Sequence, residues 1–438
     1  MKISSILLLV LVLSTSITAQ LIVTEVATLP EPVSNNAVCE GFIENVPYLF
    51  SFGGIDGTKI YSGVHLKSFR YNIETGESEQ IADLPDNMGK IAAAASRIGN
   101  IIYIIGGYSV LSNGNEISSD KVHRYDIVNN LFLSDAAPLL RSTDDHVQGV
   151  WRDSLIYVIT GWSDNGNIRN VQIYNPAEDD WTNGTPLPGN SNFTSFGASG
   201  TIITDTIFYY GGAADSPGFS IQNQLRKGVI DPDNPTQVEW SFSIPEPGVS
   251  GYRMAATKVG EELHWIGGSE TTYNYDGMAY DGTGGVPPSN RDLYLLPESD
   301  GWQSIGNMEI PMDLRGIANI SDTVQYIAGG MLDNQEVTDK IYKLEWERDF
   351  GSQSIALNYS PNISVFPNPV KDYIIIDVRQ KEIVGSDFDI INLSGQEILN
   401  LSSQSKNQKI DLSFLPAGMY YLRWKKENAY VFYPLTKL

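Results

Sequence analysis

Cysteine is nearly missing from this chain: Cys39 is the only one in 438 residues. A lone thiol cannot close an internal disulfide, so packing alone must hold the fold. A buried, inert Cys39 is the expected state, since free cysteines behave as small apolar side chains. Basic residues are also scarce. There are 29 Lys and Arg against 52 Asp and Glu, a net charge of −23. That balance excludes nucleic acid as a partner, because phosphates demand basic patches. Histidine is reduced to His65, His123, His146 and His264, and there is no HExxH, P-loop, nucleophile elbow or CxxC pair. No metal and no cofactor is therefore expected, and the residues favour a binding role over an enzymatic one. Long apolar runs are lacking too. The longest, residues 6–13, is too short to span a bilayer, so no transmembrane segment is expected. It follows Lys2 and precedes a polar stretch and Ala19, the pattern of a signal peptide over residues 1–19.

What the chain does have is 40 glycines and 22 prolines punctuating short β-branched and aromatic segments, which predicts an all-β fold. A double glycine ends a hydrophobic strand again and again: YLFSFGG at Gly54, IIYIIGG at Gly107, IFYYGG at Gly212, LHWIGG at Gly268 and YIAGG at Gly330. A sixth copy, IYVITG at Gly161, has Thr160 in place of the first glycine. The steps between copies are 53, 54, 51, 56 and 62 residues. A period near fifty built from strand-like segments predicts a propeller rather than a helical solenoid.

Each period divides into four strands, a to d. In the second copy these are residues 91–96, 100–105, 121–126 and a last segment reaching Pro138; the third repeats the c–d pair as VQIYNPAEDDWTNGTPLP. The double glycine, a Tyr about twenty residues later and a Trp near the outer strand (Trp181, Trp240, Trp302) resemble the kelch motif. The resemblance covers residues 21–346 and implies a six-bladed β-propeller. The sixth copy has no d strand, while LIVTEVATLP sits orphaned before the first. Residues 21–30 are therefore expected to complete the last blade of a propeller domain over residues 20–346.

Residues 347–362 read as a linker. Residues 363–438 carry nine basic and eight acidic side chains, against 20 and 44 in the rest of the chain, so the tail is a separate domain in composition as well as pattern. Its alternating strands predict a small antiparallel β-sandwich. Val365-Phe366-Pro367-Asn368-Pro369, Asn392-Leu393-Ser394-Gly395-Gln396 and Leu415-Pro416-Ala417-Gly418-Met419-Tyr420 resemble the type A sorting domain of the type IX secretion system. That resemblance implies the secretion machinery as a partner, and a product released or held on the surface of a Gram-negative cell.

In a propeller the b–c and d–a loops surround one mouth of the central channel. Residues 108–120 and 269–290 are long loops there, and Trp162, Tyr273, Tyr275 and Tyr280 are expected to contact a ligand. Alignment on the glycines places Cys39, Ala92, His146, Phe196, Arg253 and Arg315 at equivalent a-strand starts. Arg253 and Arg315 could grip a carboxylate or sugar acid; equally, they could pair with acidic side chains inside the channel. His146 and Asp313 are the candidates for acid–base work. Two functions follow. One is an exported interaction module for a glycan or surface protein. The alternative is an enzyme resembling the sialic-acid mutarotases, with His146 as shuttle, Asp313 as base and the arginines as anchors.

Overall fold

Each fifty-residue period folds as one antiparallel sheet. The computed structural model describes residues 19–348 except 216, 298 and 300, and 363–437 except 367–369, 379–386, 393–396, 403–406, 417, 427 and 428. Nearly all of the expected signal peptide and linker, with Pro367 to Pro369, Leu393 to Gln396 and Ala417 of the tail motifs, lies outside the described residues. Residues 20–347 form one compact unit, and 348–437 belong to another.

Among the described residues the first unit contains six sheets, numbered here as blades by their glycine pair. Blade 3 is the simplest: Val147–Trp151, Leu155–Ile159, Val171–Asn175 and Asp180–Asn183 pair in that order. In blade 6, Ala318–Ser321, Val324–Ala328 and Lys340–Arg348 are joined on the outside by the first strand of the chain, Ala19–Thr28. On its inside, Arg315–Gly316 pairs in parallel with Ala37–Val38 of blade 1. The last and first periods are thus hydrogen-bonded to one another, and the edges that a row of sheets would leave exposed are used up.

Blades pack through both faces of their strands. Phe50 and Phe52 of blade 1 meet Ile102, Ile104 and Tyr125 of blade 2; Tyr210 of blade 4 meets Trp265 and Trp302 of blade 5. The kelch aromatics lie in these layers, with Tyr174–Trp181 ring centroids 5.0 Å apart and Tyr210–Trp302 4.7 Å apart. Such tilted contacts suit the ring quadrupole.

The glycine pair has a specific task. The second glycine of every pair (54, 107, 161, 212, 268, 330) donates its N–H to a carbonyl just ahead of the next blade's inner strand, at 2.7–3.4 Å. A β-carbon on the first glycine would lie 2.1–2.6 Å from that same carbonyl oxygen in the five copies that have one. Backbone contact between blades therefore requires the missing side chain. In blade 3 Thr160 solves the problem differently. Its hydroxyl donates to the Ser195 carbonyl at 3.0 Å and accepts the Ser195 N–H at 2.9 Å.

In the tail, Ile363–Phe366, Tyr373–Val378 and Asn407–Asp411 form one sheet. Asp387–Asn392, Glu397–Ser402, Gly418–Lys426 and Ala429–Lys437 form a second. Val370, Ile374, Ile376, Phe388, Ile390, Ile410, Leu422 and Leu435 bury their side chains in a single core, as the strands' alternation predicts. No helix among the described residues is long and apolar enough to cross a membrane.

Candidate binding channel

The inner strands begin at six residues with left-handed backbone: Asn35, Ala92, Asp145, Gly197, Arg253 and Asp313, with φ between 47° and 65°. This conformation turns each N–H and C=O along the circumference. The result is a closed belt of hydrogen bonds: Ala92 N–H to Asn35 C=O, Asp145 to Ala92, Gly197 to Asp145, Arg253 to Gly197, Leu314 to Arg253, and Asn35 to Asp313, at 2.8–3.3 Å. Left-handed backbone costs about 1–2 kcal/mol where a β-carbon is present, less for Asn and Asp. Four of the six are Asn, Asp or Gly. The true equivalence thus corrects the glycine-based alignment by up to four residues, since the connections into the inner strands differ in length.

The belt side chains meet at the axis. Arg253 is buried and bridges two blades. Its Nη2 and Nε donate to Asp145 at 2.5 and 3.2 Å, and its Nη1 to Asp313 at 3.0 Å. Asp313 also accepts bonds from Ser34 at 2.7 Å and Asn35 at 3.2 Å. Burial opposes the Arg253 charge, yet Asp145 beside it holds its pKa well above the usual value. Burial pushes Asp313 up, and Arg253 offsets part of that rise. Of the two sequence readings for the arginines, internal pairing is the one the geometry presents for Arg253.

Arg315 behaves differently. From the short strand that pairs with blade 1 it reaches the His146 carbonyl of blade 3, at 2.8 Å, so its side chain links elements that are not neighbours in the ring. Its Nη1 forms an ion pair with Asp145 at 3.6 Å, too long for a hydrogen bond, and Nε has no partner. Burial lowers its pKa. His146 is likewise buried, and desolvation followed by the Arg315 charge lowers its pKa to about 4, leaving a neutral ring. Its Nε2 sits 3.0 Å from the Gln148 amide oxygen, and that amide donates to Ser96 at 2.8 Å.

On the b–c and d–a side, aromatic rings cover the axis. Trp162, Phe196, Phe219 and Tyr280 pack edge-to-face or tilted at 4.6–6.2 Å, and Tyr252 and Tyr273 stand at right angles 5.0 Å apart. Tyr273 is fully buried, and Tyr275 packs half-buried against the same cluster. The Arg253 guanidinium lies 5.1 and 5.5 Å from the Tyr252 and Tyr273 rings, a buried cation–π arrangement. The aromatics expected to contact a ligand pack against one another here, because the loops that carry them fold inward over the belt.

The channel opens on the opposite side, toward the a–b hairpins. A cavity of about 350 Å³ runs between the inner strands with Arg315 and His146 in its walls at the belt end. Asp313 is not among its lining residues. Further out stand Glu40 and Arg97, paired at 3.3 Å, with Ser96, Gln148, Thr201 and Asn319. Sequence reasoning missed these residues. The available signal was the first strand of each period, where Glu40, Ser96, Gln148 and Asn319 interrupt small apolar residues. Cys39 also lines this wall, and burial pushes its thiol well above the ordinary range.

Comparison with known proteins agrees with this architecture. Residues 364–433 match the secretion system C-terminal sorting domain. Kelch-like protein 36 of Mus musculus is 27% identical over 173 residues, 40% of this chain and 26% of that protein. Kelch-like protein 26 of Danio rerio is 24% identical over 316 residues, 70% of this chain and 47% of that protein. The chain thus spans less than half the length of either relative. The solved structure of YjhT aligns with a TM-score of 0.58 at 14% identity, covering 73% of this chain and 99% of that one, a likeness of fold. The chain is a kelch-repeat six-bladed β-propeller protein whose C-terminal type IX sorting domain directs it to the cell surface or beyond.

Proposed function

We propose that the propeller is the working part of an exported interaction module, and that its open channel takes a small polar ligand of glycan-unit size. One observation carries this reading. Over the axis the aromatic cluster fills the rim, whereas the hairpin side keeps a cavity of about 350 Å³ with Arg315, a buried guanidinium with a single hydrogen bond, at its inner end. That volume sits at the lower end of small-molecule sites, roughly 300–1,000 Å³. Asp145 answers the charge only from 3.6 Å and the Nε–H is left without an acceptor, a cost that a ligand oxygen would relieve. The walls mix donors and acceptors without an excess of charge, Glu40 being matched by Arg97. A mutarotase would need His146 and Asp313 to share a substrate; the enclosure of Asp313 by Ser34, Asn35 and Arg253 favours binding over turnover.

The test is saturation-transfer NMR with a panel of neutral and acidic monosaccharides. At least one should receive saturation from the wild-type chain and lose it in Thr201→Trp, which fills the channel mouth. A panel that is silent with wild type, or a signal indifferent to the mouth variant, overturns the reading.

A further inference from the structure

Beside the channel mouth, between blades 5 and 6, lies a second hollow of about 310 Å³. Its walls are Thr201, Thr257, Lys258, Asn319, Ser321, Asp322 and Gln325, with Ile320. Thr201 and Asn319 also line the channel, so the two cavities share a wall. Gln325 is only 1% exposed. Its amide nitrogen donates to the Ser321 carbonyl at 2.9 Å, but its Oε1 has no partner. A buried, unmatched carbonyl oxygen costs about 1–3 kcal/mol, so the sheet interior gives no reason for it. Thr257 is buried as well and spends its hydroxyl proton on Asn319 Oδ1 at 2.6 Å. Lys258 makes no ion pair among the described residues.

We infer that this hollow is a second subsite and that the ligand is an oligosaccharide long enough to occupy channel and hollow together. The inference rests on the channel reading and adds to it the ligand class. Three features select a hydroxyl-rich ligand. The unmatched Gln325 Oε1 can accept a hydrogen bond, which a sugar hydroxyl can donate. The Lys258 ammonium donates, and the same hydroxyl can accept. One cation and one carboxylate, Lys258 and Asp322, leave the hollow without net charge, which suits a neutral unit. A single sugar could fill one cavity only; the shared Thr201–Asn319 wall is where a glycosidic link would pass.

The experiment is a glycan array carrying neutral and acidic sugars of one to six units, probed with the purified full chain and followed by calorimetry on the best probe and its monosaccharide. The expected result is a preference for two or more units, at least tenfold over the monosaccharide. Gln325→Leu removes the unmatched acceptor, and Lys258→Ala is a surface change that guards against a folding defect. Each should reduce the preference to within threefold while leaving monosaccharide binding intact. If monosaccharides bind as tightly as longer chains, or both variants keep the length preference, the second subsite falls and the channel reading stands. If nothing on the array binds, both fall.

Discussion

Replacing Arg253 by Met tests whether the belt network holds the propeller together. The substitution keeps an unbranched stem but removes three donors, two aimed at Asp145 and one at Asp313. Charge-assisted bonds contribute about 1.5–3 kcal/mol each, which sets the upper bound. Loss of the guanidinium also removes its own burial cost, so the net effect is smaller. Breaking a buried pair while leaving the partner charge behind typically costs 3–5 kcal/mol. Here two carboxylates, both essentially unexposed, would be left. We expect a loss of about 4 kcal/mol, a large share of the roughly 5–15 kcal/mol of a folded domain. Urea unfolding followed by tryptophan fluorescence is the assay, because seven of the eight tryptophans lie in the propeller and only Trp424 in the tail. Adding Asp145→Asn and Asp313→Asn should restore most of the loss. The deficit should also shrink on acidification, since burial already raises the Asp313 pKa and protonation removes the stranded charge. A loss below 1 kcal/mol, or no recovery in the triple variant, refutes the argument.

Two further outcomes follow from other buried groups. His264 is fully buried; desolvation opposes its charge, but Asp292 at 2.8 Å raises its pKa to about 9. A folded-state pKa above the unfolded value near 6.5 stabilises fully below pH 6.5, and the gain is lost as pH rises through 9. The shift corresponds to about 3 kcal/mol. His264→Gln should flatten that window in urea midpoints taken between pH 6 and 9.5; an unchanged slope contradicts the assignment. Thr160→Val keeps the shape but removes both hydroxyl bonds to Ser195. It should cost about 1–3 kcal/mol by the same unfolding assay, and a neutral result would mean the hydroxyl is not substituting for glycine.

The architecture was legible because it repeats. Five glycine pairs and a sixth, degenerate copy at a near-constant step can be read as strands and turns without knowing what touches what, and three ordered segments marked the tail in the same way. The belt was legible only in part. Ala92 and Arg253 were correctly aligned, but Asp145, Gly197 and Asp313 were displaced by loops whose lengths vary between copies. The packing of the rim aromatics was not legible for a related reason. Tyr273 and Tyr280 lie in a long loop and Trp162 in a shorter one, and such loop aromatics can reach for a ligand or for one another with the same composition.

The amino-acid order by itself determined the number of blades, the identity of the strands, the acidic surface and the sorting tail, since these depend on local periodicity and composition. Only the tertiary structure decided which end of the channel stays open. That outcome depends on how far the loops of six blades fold over a common axis, and on whether Arg253 and Arg315 find carboxylates first. Both are contests between residues distant in sequence, settled by distances that no single period encodes.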